Sequence, residues 1–240
     1  MIWFRLAFKN ILRRKARSIF SLVGVAFAIT VLYGLLEFQK NYEAGLRGEL
    51  NSLGAHVMIV PKGCPYEAAT IALHGGKWPR YISEDYLPSV KAIPGVAKAA
   101  GIIMDALFDV DKKRNMVFLG IDEDYPLLKA GWKVDGSWFG DERSIILGSS
   151  VAQEEKKKPG DHYFLKEKGE SLYVSGVLAR SNTQDDGFYF LPKKTLQRIF
   201  GLEGKLVVIL IQTSNIEKVG DLTLAIRERE QDLNVFPLSE

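Results

Sequence analysis

Apolar positions are spread unevenly along this chain. From Ser18 to Leu36 the run SIFSLVGVAFAITVLYGLL is nineteen residues without a charge. As a helix rising about 1.5 Å per residue it would span roughly 28 Å, close to the ~30 Å hydrocarbon core of a bilayer. Ahead of it Phe4, Ala7, Phe8, Ile11 and Leu12 recur at helical spacing opposite Arg5, Lys9 and Arg13. That pattern predicts a short amphipathic helix at the membrane surface, with Trp3 at the same interface. Behind it Leu35, Phe38, Tyr42, Leu46, Leu50 and Leu53 keep the three-to-four spacing, while Glu37, Lys40, Glu43, Arg47 and Glu49 fill the other faces. The helix is therefore expected to continue as a stalk ended by Gly54, its apolar stripe packing on a partner helix or on the protein's own body.

Past the stalk the period changes. His56 to Pro61 (HVMIVP) reads as a buried strand, followed by a loop punctuated by Gly63, Pro65, Gly75, Gly76 and Pro79, long enough to suggest a role. A helix begins near Ser83, carries Leu87, Val90 and Ile93, contains Pro88 and stops at Pro94-Gly95. Val96 to Val110 and Asn115 to Ile121 read as strands joined by a charged turn. A second such unit closes the chain: a strand at Leu206 to Thr213, an amphipathic helix at Asn215 to Glu230, and a strand at Val235 to Leu238. Between the two lie short, partly alternating runs (SIILG, HYFLKE, SLYVSGVL, GFYFLP) and a helix at Lys193 to Phe200. The predicted class is α+β, a single N-terminal transmembrane helix with a stalk, then a split βαβ domain holding an inserted, mostly β subdomain. The boundaries expected are 1–17 for the surface helix, 18–36 for the span, 37–54 for the stalk, 55–121 with 205–240 for the split domain, and 122–204 for the insert.

Charge fixes the direction of the span. The net charge of +3 hides a division: six of the 32 Lys and Arg residues precede Ser18 with no acid among them, leaving 26 against 29 acids in the rest. A body with that balance offers no broad basic surface, so nucleic acid is not an expected partner. The one-sided basic flank puts the N-terminus in the cytoplasm and everything after about residue 40 outside it. A cleaved signal peptide would also have a basic start, and Ala26-Phe27-Ala28 has the form of a cleavage site, but apolar sequence runs eight residues beyond it. A buried core helix would not explain the asymmetric charge. The 47% hydrophobic content excludes a disordered or collagenous chain.

Several segments, in this order, resemble one family. They are the opening LAFKNILRRKARSIFSLVGVA, SIILGSSVA at Ser144 to Ala152, KKPGDH at Lys157 to His162, VSGVL at Val174 to Leu178, NTQDDGFYFLP at Asn182 to Pro192 and TLQRIFG at Thr195 to Gly201. Together they are similar to the MacB-like periplasmic core domain of FtsX-like ABC transporter permeases, which makes the split domain porter-like. The resemblance implies a dimeric permease of the cell inner membrane, paired through its membrane and stalk helices. Its exterior domain moves when separate ATPase subunits close beneath the membrane, so as to move or release lipoproteins, peptides, antibiotics or haem. Such permeases carry three further membrane helices after this domain, and no other long apolar run precedes Glu240. The chain is accordingly read as the N-terminal half of a permease, a truncated one, or a variant that needs a second chain. The alternative is a single-span, membrane-anchored binding or adaptor protein without transport activity, presenting its exterior domain to an envelope partner.

Candidate chemistry is sparse. Gly76-Lys77 and Gly204-Lys205 lack the glycine spacing and hydroxyl of a phosphate loop, so ATP is expected on another chain and no enzymatic activity on this one. The natural contact for that ATPase is Met1 to Arg17, with Trp3, Arg5, Lys9, Arg13 and Arg14 as candidates; membrane anchoring explains the same charges. HExxH and GxSxG are absent. Lys158 to Asp161 predicts a turn, and Asp185-Asp186-Gly187 a solvated turn rather than a calcium loop. Cys64, the single cysteine, can form no intrachain disulfide. With His74, and with Met58 or His56, it is a candidate ligand for soft metal or haem iron; the competing reading is an inert thiol in a Gly-Cys-Pro turn. No resident cofactor is expected.

Overall fold

The computed structural model describes residues 15–52, 54–62, 80–129 and 131–238. The chain divides into two units, Met1–Gly48 and Glu49–Glu240. The predicted span and stalk form one uninterrupted helix, α1 (Lys15–Ser52, 38 residues), which at about 1.5 Å per residue is roughly 57 Å long. Gly54, beyond its end, has φ +65°, the left-handed conformation that ends helices at glycine.

In the second unit β1 (Val57–Pro61) is followed by the two-residue strand β2 (Ile82–Ser83), helix α2 (Tyr86–Lys91) and the hairpin of β3 (Val96–Asp109) and β4 (Arg114–Ile121). Pro88 is tolerated in α2 because it falls in the first turn, where a backbone N–H has no partner within the helix. Near the end of the chain lie β10 (Lys205–Leu206), β11 (Val208–Thr213), α6 (Val219–Arg229) and β12 (Leu233–Pro237). The single helix expected from Asn215 starts instead as a 3-10 turn, Ile216–Lys218, because the Asn215 side chain accepts from the Glu217 N–H at 3.0 Å.

Four of these strands form an antiparallel sheet in the order β12-β1-β11-β3, and β2 pairs separately with β10. One face of the four-stranded sheet, with Val57, Ile59, Ile209 and Ile211, is covered by Leu87 and Val90 of α2 and Leu222 and Ile226 of α6. Strand alternation turns Val60, Val208 and Leu210 to a second core.

The second core belongs to the central region. It holds α3 (Asp124–Leu128), β5 (Val134–Gly136), β6 (Ser144–Leu147), α4 (Ser149–Glu155), β7 (His162–Leu165), β8 (Glu170–Leu178), β9 (Phe188–Pro192) and α5 (Lys193–Phe200). The long strand β3 joins the two regions. Its first half pairs with β11 from Ile102 back to Val96, and its second half, Ile103 to Asp109, pairs with β4. The sheet then continues β4-β9-β6-β8-β5, parallel at β4-β9 and β6-β8, with β7 hydrogen-bonded to β8. Stacked Phe118 and Tyr189, ring centroids 4.8 Å apart, and Trp132 edge-on to Phe190 at 4.9 Å fill its centre. The predicted turn at Lys158 is present: the Asp161 N–H donates to the Lys158 carbonyl at 3.1 Å, and Gly160 has φ +93°.

Candidate functional site

Ile19–Tyr42 of α1 is long and apolar enough to cross a membrane, and it is the single such helix among the described residues. Its large side chains are exposed along its length, Phe20 and Phe27 to 79% and 71%. The Thr30 hydroxyl donates to the Ala26 carbonyl at 2.9 Å, so that this polar group is satisfied inside the helix, as an apolar surrounding requires.

Three charged clusters mark the second unit. The first lies where the four-stranded sheet meets the central region. Lys193, the first residue of α5 and 7% exposed, extends its ammonium to Asp122 Oδ2 at 2.6 Å and to Glu84 Oε1 at 2.7 Å. One turn on, Gln197 donates to Glu84 Oε2 at 3.1 Å and to the Lys205 carbonyl at 3.0 Å. Gly120 permits the approach, since a Cβ there would meet the Lys193 backbone and overlap Ile103. Burial penalises the Lys193 charge, but its bonds to Asp122 and Glu84 prevail and hold its pKa above the usual lysine value. Burial likewise works against the Glu84 carboxylate, and the bonds from Lys193 and Gln197 overcome it, lowering its pKa. An open recess of about 430 Å³ adjoins the cluster, walled by Trp138 and Phe139 with Glu123 and Glu142 nearby.

The second cluster overturns the solvated turn expected at Asp185-Asp186-Gly187. Both aspartates are 6% exposed. Asp185 Oδ2 takes the Lys129 ammonium and the Trp132 indole N–H, each at 2.9 Å. Asp186 accepts from the Ser181 N–H, the Ser181 hydroxyl and the Asn182 N–H, all at 2.9 Å. Those bonds outweigh the desolvation of Asp186 and lower its pKa. The two aspartates are buried, while Gly187 stays exposed, because Lys129, distant in sequence, supplies the charge that Asp185 needs.

The third cluster ties the last turn of α4 to the β3-β4 hairpin. Glu155 accepts from the Lys112 ammonium at 2.6 Å, from the Tyr189 hydroxyl at 2.8 Å and from Arg114, which also pairs with Glu154. Desolvation opposes the Glu155 charge, but its bonds from Lys112 and Tyr189 win and lower its pKa. Burial, with the neighbouring Tyr163 and Glu155, raises that of Tyr189.

Trp3, Arg5, Lys9, Arg13, Arg14, Cys64 and His74 lie outside the described residues. Of the further ligands considered for Cys64, His56 uses Nδ1 to accept the Thr213 N–H at 3.1 Å, and Met58 lies in β1 between Leu210 and Phe236. Among the described residues no three His, Cys, Asp or Glu side chains converge as a metal site. Lys193 and Lys129 gave no signal in the sequence, because their partners Asp122 and Asp185 stand 71 and 56 residues away.

The sequence profile of the MacB-like periplasmic core domain matches residues 18–228. The fold is similar to the extracellular domain of the noncanonic ABC-type transporter YknZ from Gram-positive bacteria, with TM-score 0.55 and 16% identity, covering 75% of this chain and 98% of that one. It is also similar to the periplasmic region of MacB from Actinobacillus actinomycetemcomitans, with TM-score 0.56 and 11% identity, covering 79% and 92%. Among curated proteins none matches in sequence.

Proposed function

The chain belongs to the MacB-like periplasmic core domain family of non-catalytic ABC permease components, and from that premise we propose that it is a permease subunit. Its work is to couple ATP hydrolysis by a separate ATPase subunit to movement of the extracytoplasmic domain, and so to export or release a substrate. The observation that carries this reading is the family match over residues 18–228, which takes in the apolar helix and the α+β body in one order. In this reading residues 1–17 lie at the cytoplasmic face, where Trp3, Arg5, Lys9, Arg13 and Arg14 meet lipid headgroups and the ATPase. Ser18 to Leu36 crosses, and the body stands in the periplasm. Two copies pair through their membrane and stalk helices, as the family resemblance implies.

Two measurements test it. In spheroplasts with intact membranes, added protease removes a tag placed after Glu240; a fully protected tag overturns the orientation. Affinity capture of the full chain from solubilised membranes brings down an ABC ATPase, and the capture is lost in Arg13→Glu/Arg14→Glu. Capture of an envelope protein with no ATPase would favour the anchored adaptor instead.

A further inference from the structure

Gly54, near the start of the second unit, is wedged against the central region's first helix. Gly54 presses on the end of α3: a Cβ there would overlap the Leu128 carbonyl, and the φ of +65° already excludes most side chains. The Gly54 carbonyl is held by Gln212 Nε2 at 3.3 Å. Leu128 is 2% exposed, and α3 is pinned on its flank, the Lys98 ammonium reaching the Leu127 carbonyl at 3.0 Å and Lys91 pairing with Asp124. The residue after Leu128 is Lys129, with its bond to Asp185. The carbonyls of Asp185 and Asp186 in turn lie against Gly148, where a Cβ would overlap both. Gly148 opens α4, whose last residue is Glu155, bound to Lys112 and Arg114 of the hairpin.

From this continuous series of contacts we infer that α3 and the Lys129–Asp185 pair are a mechanical relay. Displacement of the chain at Gly54 passes through Leu128 and Lys129 to the 184–187 turn, and from there to α4 and the distal hairpin. Two of the contacts are backbone against backbone, too close for a methyl group to fit between them, so a displacement toward the contact on one side bears directly on the other. The third is a buried ion pair, whose separation would leave a charge without a partner. Lys129 is thus a positioning residue. The purpose of the relay rests on the permease reading; its mechanics do not.

Hydrogen exchange on the full chain in detergent separates the two. Gly54→Ala should raise exchange across 181–188 by about fivefold, while Val235→Ala, a core truncation on β12 away from the series, leaves it within about twofold. No change in Gly54→Ala, or an equal change in Val235→Ala, overturns the relay. In the complex with the captured ATPase, a non-hydrolysable ATP analogue should alter exchange at 124–129 and at 181–188 together. In Lys129→Met/Asp185→Leu the change at 124–129 persists and that at 181–188 is lost. A response at 124–129 alone in the wild-type chain also overturns the relay. A response nowhere overturns the permease reading and leaves the Gly54→Ala comparison to decide the relay.

Discussion

Lys129 and Lys193 are both nearly buried, 4% and 7% exposed, and are held in opposite ways. Lys129 has one carboxylate, Asp185, whose side chain is itself 8% exposed, and otherwise faces the rings of Tyr125 and Trp132 at 5.5 and 5.8 Å. Lys193 has two carboxylates brought from separate segments, Glu84 and Asp122, with side chains 32% and 28% exposed. The first site is dry and balanced one to one; the second keeps an excess negative charge and is partly wet. A dry pair fails wholly when either member goes, whereas a wet cluster can be repaired by water.

The largest effect should therefore come from Asp185→Ala. It strands the Lys129 ammonium in the core and leaves the Trp132 N–H without its acceptor, at a cost of about 3–5 kcal/mol. Thermal unfolding of the detergent-solubilised chain, followed by tryptophan fluorescence, reads the loss. Lys129→Met/Asp185→Leu should regain most of it, since apolar side chains of similar volume replace the pair without desolvating a charge. A double variant no better than Asp185→Ala would mean that the turn depends on the ion pair itself. Lys193→Met comes next, at about 1–2 kcal/mol, because its two abandoned carboxylates still reach solvent. If it costs as much as Asp185→Ala, the distinction between dry and wet sites is wrong.

Acid sharpens the same contrast. Glu84 and Glu155 have folded-state pKa values below the ordinary 4.5, so their contribution is complete above that value and disappears as pH falls through the lower folded value. The wet cluster at Lys193 and the hairpin cluster at Glu155 should thus weaken together below about pH 4.5. In a stability profile from pH 7 to 3, Glu84→Gln/Glu155→Gln should be less stable at pH 7 and show a shallower acid limb. An unchanged acid slope would show that other carboxylates control it.

How much of this was legible in the sequence follows from the range of each interaction. The apolar run from Ser18, the stop at Gly54, the strand at Val57, the turn at Lys158 and the helix Lys193–Phe200 are written in neighbouring residues, and the fold keeps them. The short helices Asp124–Leu128 and Ser149–Glu155 leave no mark in the sequence, because so few residues carry no clear period. Asp185-Asp186-Gly187 has the composition of a surface turn, yet its two aspartates are buried, Asp185 against a lysine more than fifty residues earlier. The Lys193 cluster likewise exists because Asp122, just past β4, and Glu84, just ahead of α2, meet the start of α5. Local pattern therefore revealed the elements, and the charged clusters that join them needed the third dimension.

The smallest effect lies at the other end of the same scale. Lys166 and Asp111 meet at 3.1 Å across two hairpin turns with side chains 72% and 76% exposed. Asp111 raises the Lys166 pKa, but each charge is already largely hydrated, so the pairing exchanges one good environment for another. Lys166→Ala should leave the unfolding temperature within measurement scatter at all ionic strengths, although the geometry of the pair is as good as that of Lys129 and Asp185. A loss comparable with Lys193→Met would show that the hairpins depend on this contact, and exposure would then no longer rank the ion pairs of this protein.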